Sequence, residues 1–250
     1  MSLLDWGRLA RVSLAPSAAA DVAAGLAIGY AGFPSGATPW LAIASSLAVY
    51  HGGMVLNDYA DREHDARTRP ERPLPSGRIE PRAAQWVGIA LVATALLLAA
   101  LISWRAAAWM TGLATLVVSY DFFGRGAWLG PLLLGACRAA NLGFGLLMSG
   151  ALAAAPLGVT PPNAALLMAL YASYVCAVSR VARLEDVADD ASIGTEPRYV
   201  LALAALLLCA PAFVAGNGSG FSAPVPWALA LALAAAFGLA RCVWNTRVWT

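Results

Sequence analysis

The sequence predicts an all-α fold, a polytopic membrane bundle of about eight transmembrane helices, and three observations carry that prediction. Of its 250 residues, 60% are hydrophobic and 12% charged, and the mean hydropathy of +0.68 lies far above that of a water-soluble domain of this size. The apolar residues come in uninterrupted runs, whereas a transmembrane barrel needs segments of about ten residues that alternate polar and apolar. The charges are gathered between the runs. At roughly 20 apolar residues per spanning helix, seven or eight spans use up most of the chain, so residues 1–250 read as a single integral-membrane domain. A net charge of +2 from so few charges gives no case for a nucleic-acid partner.

The elements follow from apolar runs and from the glycines, prolines and charges that break them. The opening MSLLDWGRLARVSL has no apolar run closed by a small-residue cleavage site, so no removable signal peptide is expected and the first span stays in place. That span is Leu14–Phe33, and its Gly25-x-x-x-Gly29 suggests close helix packing. Pro39–Leu56 follows, then Ala83–Ser103 and the short Ala106–Tyr120, where a merged hairpin or a tilted helix would change the count by one. The second half holds Leu129–Gly150, Asn163–Ser179, Tyr199–Ala215 and Val225–Val243. Each half carries an acidic connection after its second helix, which suggests two four-helix halves of common origin.

Orientation follows from arginine, which supplies all 16 basic residues. With the N-terminus inside, the cytoplasmic side receives Arg8 and Arg11, then Arg62, Arg67, Arg69, Arg72, Arg78 and Arg82, then Arg125, Arg180, Arg183, Arg198, Arg241 and Arg247. The outside receives Arg105 alone, and Arg138 falls within a span. The positive-inside rule therefore predicts a multi-pass protein of the cell inner (plasma) membrane with both termini cytoplasmic.

Acids follow the same segregation. The connection after span two reads NDYADREHDARTRPERPLPSGRIEPR and the one after span six SRVARLEDVADDASIGTEPR. If helix two continues into its connection, Asp58, Asp61 and Asp65 fall at i, i+3 and i+7, within about 60° of one face, with Asn57 beside them. Carboxylates that close repel one another. The spacing makes sense if a hard divalent cation that prefers carboxylate and amide oxygens, Mg²⁺ being the natural one, is held there and shared with a substrate phosphate. A solvated charged loop that merely anchors topology is the bland alternative, and the ordered N-D-x-x-D-x-x-x-D argues against it.

Asn57–Asp58-x-x-Asp61-x-x-x-Asp65, followed by Arg69–Pro70–Glu71–Arg72–Pro73–Leu74–Pro75–Ser76–Gly77, resembles the first signature of the UbiA superfamily of intramembrane prenyltransferases. The resemblance covers nearly the whole chain, since in that family a second acidic signature follows helix six, as here. Leu134–Gly150, together with R-P-E-R-P, looks most like the EboC-type branch. The resemblance implies a helical bundle around a lipid-accessible central cavity with the two acidic motifs opposed at its cytoplasmic mouth. It also implies an isoprenyl diphosphate bound through Mg²⁺ and ionised, the allylic cation being captured by a small acceptor, commonly aromatic, or by a lipid. Asn57, Asp58, Asp61, Asp65, Asp186 and Asp190 become the metal ligands, and Arg69, Arg72, Arg125, Arg180 and Arg183 candidates for the diphosphate.

Three departures from the family pattern stand out. The second motif keeps Asp186 and Asp190, but the preceding acidic position is taken by Arg183, with Glu185 turned away on the helix. Arg183 and Arg180 either bind phosphate directly or pair with the neighbouring acids. The family's phosphate-binding lysine has no counterpart, Arg125 after Tyr120–Asp121 being the nearest substitute, and eight helices are counted where many members have nine.

Within the spans, ionisable residues are costly unless paired or functional. Asp21 and Arg138 are the two clear cases, with Asn141 one turn from Arg138. They either pair inside the bundle or line a substrate pocket. His51 lies seven residues before Asp58 on the same helical face, as a satisfied interior histidine or a base. Cys137, Cys176, Cys209 and Cys242 show no C-x-x-C spacing and read as packing residues. Trp40, Trp104, Trp128 and Trp227 near span ends fit interfacial anchors. Two rivals remain at this point. A non-catalytic carrier with the same fold would hold a lipid or aromatic precursor at the acidic mouth. A CDP-alcohol phosphotransferase is disfavoured because its D-G-x-x-A-R core is absent.

Overall fold

A computed structural model describes residues 2–30, 35–124, 126, 128–149 and 161–187. Among these residues only helices occur: α1 (Leu3–Leu9), a 3₁₀ turn (Val12–Leu14), α2 (Ala15–Tyr30), α3 (Thr38–Thr68), α4 (Pro81–Ile102), α5 (Trp104–Phe123), α6 (Leu129–Met148) and α7 (Pro161–Val187). The expected spans Tyr199–Ala215 and Val225–Val243 lie outside the described residues. Four helices, α3 to α6, are long and apolar enough to cross a membrane, and shorter apolar helical stretches cover Val12–Ile28 and Ala164–Arg180.

Helix α3 is the element that builds the site. Its 31 residues measure about 46 Å at 1.5 Å per residue, against a hydrocarbon core of about 30 Å. The surplus of about three turns carries the Asn57–Asp65 sequence out of the apolar layer while still helical. Pro39 opens the helix in its first turn, where a missing N–H costs nothing. No glycine or proline follows the motif until Pro70, which disfavours helical geometry at Arg69. Arg69 accordingly leaves the helix at φ −144° and ψ 61°, its N–H still bonded to the Asp65 carbonyl.

The short fourth span is corrected. Ala106–Tyr120 stops at two charges, Arg105 and Asp121, that the helix contains, and α5 is a full 20 residues. It does not merge with α4, because Ser103 separates the two in extended backbone and its Oγ accepts the Ala106 N–H at 3.1 Å. This cap satisfies one of the open donors at the start of α5.

Helix α3 packs on α4, α2, α5 and α6, while α6 packs on α7, α2 and α5. The core joining α2 to α6 is built largely of alanine, with Val22, Leu26, Met110 and Phe144 filling between the helices. In lipid, where apolar surface gives no drive to associate, small residues and interhelical hydrogen bonds do that work. Ser45 Oγ donates to the Ala95 carbonyl at 2.7 Å and Trp109 Nε1 to the Ala140 carbonyl at 2.8 Å. Gly25 meets Gly145 where α2 crosses α6, and a Cβ on Gly25 would stand 2.9 Å from the Gly145 Cα. Outward, Trp86, Leu97, Leu101 and Trp104 are each more than 65% exposed, an apolar surface that suits lipid and not water.

Candidate active site

The chain folds its own basic segments onto the acidic end of α3. Asp58 and Asp65 are buried, while Asn57 and Asp61 are half-buried. After Pro70 the chain makes a series of turns, with Arg72 N–H bonded to the Arg69 carbonyl at 3.1 Å, Ser76 N–H to Arg72 at 3.0 Å and Ile79 N–H to Pro73 at 3.1 Å. Gly77 supplies the positive φ of 72° that closes them. Leu74 and Ile79 anchor the segment in a small core with Leu9, Val55 and Ala84. Arg72 is thereby turned back onto α3, where Nη1 lies 2.6 Å from Asp65 Oδ2 and 3.6 Å from Asp58 Oδ1.

The second segment is α1. Ser2 caps it, its Oγ accepting the Asp5 N–H at 3.2 Å and donating to Asp5 Oδ2 at 2.7 Å. Asp5 also pairs with Arg78 at 2.9 Å, which ties α1 to the turns after Pro70. The Ser2 hydroxyl foremost, and then the Arg78 guanidinium, hold the Asp5 carboxyl below the usual carboxylate range against its burial. Arg11 then reverses the chain in left-handed backbone, φ 49° and ψ 48°, the one non-glycine positive φ among the described residues. Such geometry persists where surrounding contacts hold it. Here the His51 imidazole Nδ1 donates to the Ala10 carbonyl at 2.9 Å, and the Arg11 carbonyl accepts the Tyr50 hydroxyl at 3.5 Å. His51 is thus a tethered interior histidine. Arg11 Nη2 reaches Asp58 Oδ1 at 3.2 Å.

Two cavities meet at Arg11. A polar basin of about 490 Å³ is lined by five arginines, Arg8, Arg11, Arg69, Arg72 and Arg78, with Asp58, Glu71 and Pro73. A deeper cavity of about 340 Å³ is walled chiefly by apolar side chains such as Val49, Leu113, Val117 and Leu134, and receives Asn57, Asp121, Cys137, Arg138 and Asn141. Five guanidinium forks suit a polyanion with several acceptor oxygens, and the apolar chamber suits a hydrocarbon.

The intramembrane polar residues converge on one network in the deeper wall. Arg138 Nη2 donates to Asp21 Oδ1 at 2.9 Å, Tyr171 donates its hydroxyl to the same oxygen at 2.7 Å, and Asn141 Nδ2 donates to Asp21 Oδ2 at 3.3 Å. Asn141 also gives its amide to the Ala18 carbonyl at 2.9 Å and accepts the Ser46 hydroxyl at 2.7 Å. Arg138 and Asn141 pair with Asp21 inside the bundle and also line the deeper cavity.

The expected site residues divide as follows. Asn57, Asp58, Asp61 and Asp65 share one helix, and Arg69 and Arg72 share the basin with Asp58. Arg180 stands on α7 with its guanidinium 5.0 Å from the centre of the Trp128 ring. Arg183 and Asp186 fall in the last turns of α7, while Arg125 and Asp190 lie outside the described residues. Among the described residues no three His, Cys, Asp or Glu side chains converge on one point; Asp58 and Asp65 turn to guanidinium groups instead.

Sequence reasoning missed three residues. Arg8 and Arg11 counted only toward topology, and nothing local in MSLLDWGRLARVSL foretells that α1 folds back on α3. Asp121 falls just past the expected span Ala106–Tyr120. It is 3% exposed, and neither of its carboxylate oxygens has a hydrogen-bond partner among the described residues.

The model of the UbiA prenyltransferase family matches residues 18–248. The chain belongs to that family. UbiA proteins are integral to the membrane, in keeping with the four spanning helices described above. The chain is similar to the digeranylgeranylglyceryl phosphate synthase of Thermococcus kodakarensis, 34% identical over 70% of this chain and 65% of that protein. It thus spans just under two thirds of that relative's length. It is similar also to the 4-hydroxybenzoate octaprenyltransferase of Cupriavidus necator, 32% identical over 80% of this chain and 70% of that one. Its UbiA fold matches a UbiA homologue from Archaeoglobus fulgidus solved with DMAPP and Mg²⁺, with a TM-score of 0.70 at 19% identity over 93% of this chain and 86% of the other.

Proposed function

We propose that the chain is a single-domain intramembrane prenyltransferase, moving an isoprenyl group from a prenyl diphosphate to a small aromatic or lipid acceptor with the assistance of Mg²⁺. The observation that carries this reading is the pairing of an arginine-lined basin with an apolar chamber at the acidic end of α3. The names of its relatives support it, one being a digeranylgeranylglyceryl phosphate synthase and another a 4-hydroxybenzoate octaprenyltransferase. So does the DMAPP and Mg²⁺ of the A. fulgidus homologue.

The residues fit a hard cation. Asn57, Asp58, Asp61 and Asp65 offer only carboxylate and amide oxygens, and neither oxygen of the buried Asp121 side chain has a hydrogen-bond partner among the described residues. Asn57, Asp58, Asp61 and Asp65 would hold Mg²⁺ from one side, and Asp186 and Asp190 are the candidates for a second ion. When bound, Mg²⁺ neutralises the diphosphate so that it can leave. Arg69 and Arg72 orient the phosphate oxygens and stabilise the charge that grows on them. Arg125, Arg180 and Arg183 extend that set. The apolar wall built from Val49, Leu113 and Val117 keeps water from the allylic cation, so that the acceptor captures it. On this reading the motif faces the cytoplasm, and both termini lie on the cytoplasmic side of the inner membrane.

The test is pyrophosphate release from prenyl diphosphates of several lengths, with lipids retained on gently purified protein identified by mass spectrometry. Release in the parent and its loss, by a factor of roughly 10² or more, in Asp61→Ala are expected. Arg183 in the second motif favours a second reading, a carrier of the same ligands. Tight Mg²⁺-dependent binding without release for any acceptor class would select it.

A further inference from the structure

Asp121 is a buried acid that the mechanism above does not use. It stands in the last turn of α5 at 3% exposure, and neither oxygen accepts a hydrogen bond among the described residues. Charge taken out of water without a partner costs far more than a fold can spare. Protonation alone would not resolve this, since it leaves an O–H and a carbonyl oxygen equally without partners. Its charged surroundings make matters worse. Asp61 and Asp58 act on it as like charges and Arg11 as an opposite one, yet Arg11 already commits its guanidinium to Asp58 at 3.2 Å. The carboxylate lines the deeper cavity together with Asn57, the first residue of the acidic motif. Its Oδ2 lies 3.7 Å from the point where Gly53 would carry a Cβ, and Gly53 is one turn before Asn57 on the same side of α3. Asp58 and Asp61 thus act on Asp121 as like charges, and repulsion among oxygen donors is relieved by a hard cation.

We infer that Asp121 is a further oxygen ligand for the divalent cation that accompanies the diphosphate, joining Asn57 and Asp61 from α3. It supplies from α5 a carboxylate to the cavity that Asn57 of the motif also lines. This rests on the reading of the α3 acids as the cation site.

The test is Mn²⁺ binding to the full-length protein in detergent with inorganic pyrophosphate present, followed by electron paramagnetic resonance and by the Mn²⁺-induced rise in Tm. Mn²⁺ takes the same oxygen ligands as Mg²⁺. Asp121→Asn should weaken Mn²⁺ binding by roughly tenfold or more and lose most of the metal-induced Tm rise, with its Tm in EDTA equal to or above the parent's. Asp121→Cys covers the case of a poorly folding amide. It should bind Cd²⁺ with a thiolate charge-transfer band in the ultraviolet that the parent lacks. Unchanged Mn²⁺ affinity in Asp121→Asn beside loss in Asp61→Ala would overturn this inference and leave the proposed function standing. A selective fall in transfer at unchanged affinity would likewise overturn it, in favour of an acceptor contact. Unchanged affinity in both variants would overturn the cation site itself.

Discussion

Arg72 shows how much of this site hangs on single side chains. Its guanidinium bridges Asp65 at 2.6 Å and Asp58 at 3.6 Å, and both acids are buried. Truncating it strips the buried Asp65 of its ion pair and leaves the buried Asp58 with Arg11 alone. Breaking a buried pair costs about 3–5 kcal/mol, and the partial exposure of Arg72 puts the expected loss for Arg72→Ala near the lower end, about 3 kcal/mol. Thermal unfolding in detergent with EDTA measures it, and a Tm within a degree of the parent would contradict the bridge. Arg72→Lys should recover less than half, because an ammonium is a point charge and cannot hold two carboxylates as a fork does. The four motif residues were legible in the sequence because a helix repeats every 3.6 residues. Their guanidinium partners were not, since Arg11 and Arg72 reach Asp58 only through turns whose shape depends on Leu74 and Ile79 finding a core.

At the scale of elements, the decisive contact is the crossing of α2 and α6, which brings Asp21, Arg138 and Asn141 together. It depends on Gly25 and Gly145, whose backbones touch. A Cβ on Gly145 would stand 2.9 Å from Leu26 N and 3.0 Å from the Gly25 Cα. These are backbone atoms with no rotamer to yield. Gly145→Val is therefore expected to cost more than about 3 kcal/mol, the top of the ordinary overpacking range. Gly112 in α5 has open space where a Cβ would stand, with nothing within 4 Å, so Gly112→Ala should be neutral or stabilising by up to about 1 kcal/mol. Parallel melting curves compare them, and equal Tm values for the two variants would contradict the crossing. The Gly25-x-x-x-Gly29 pattern pointed to close packing, but in a chain with 23 glycines only the fold says that the partner of Gly25 is Gly145.

For the whole molecule, the proposed function carries an orientation with it: on that reading the arginine-lined basin opens to the cytoplasm. Ser76 and Arg105 lie beyond opposite ends of α4, whose 22 residues reach about 33 Å. In a background lacking the native cysteines, Ser76→Cys should react with a membrane-impermeant maleimide only from the cytoplasmic side and Arg105→Cys only from the outside. Labelling of both from one side would overturn the topology. By itself the sequence determined the membrane class, most helix cores and the acidic face of α3, because hydropathy and helical period are properties of consecutive residues. The tertiary structure alone decided which arginines pair with those acids, that Asp21, Arg138, Asn141 and Tyr171 form one network, and that Asp121 is a buried carboxylate in the cavity. Each of these joins side chains from different helices, and their approach is set by small-residue crossings, caps and turns across the bundle, which no local pattern records.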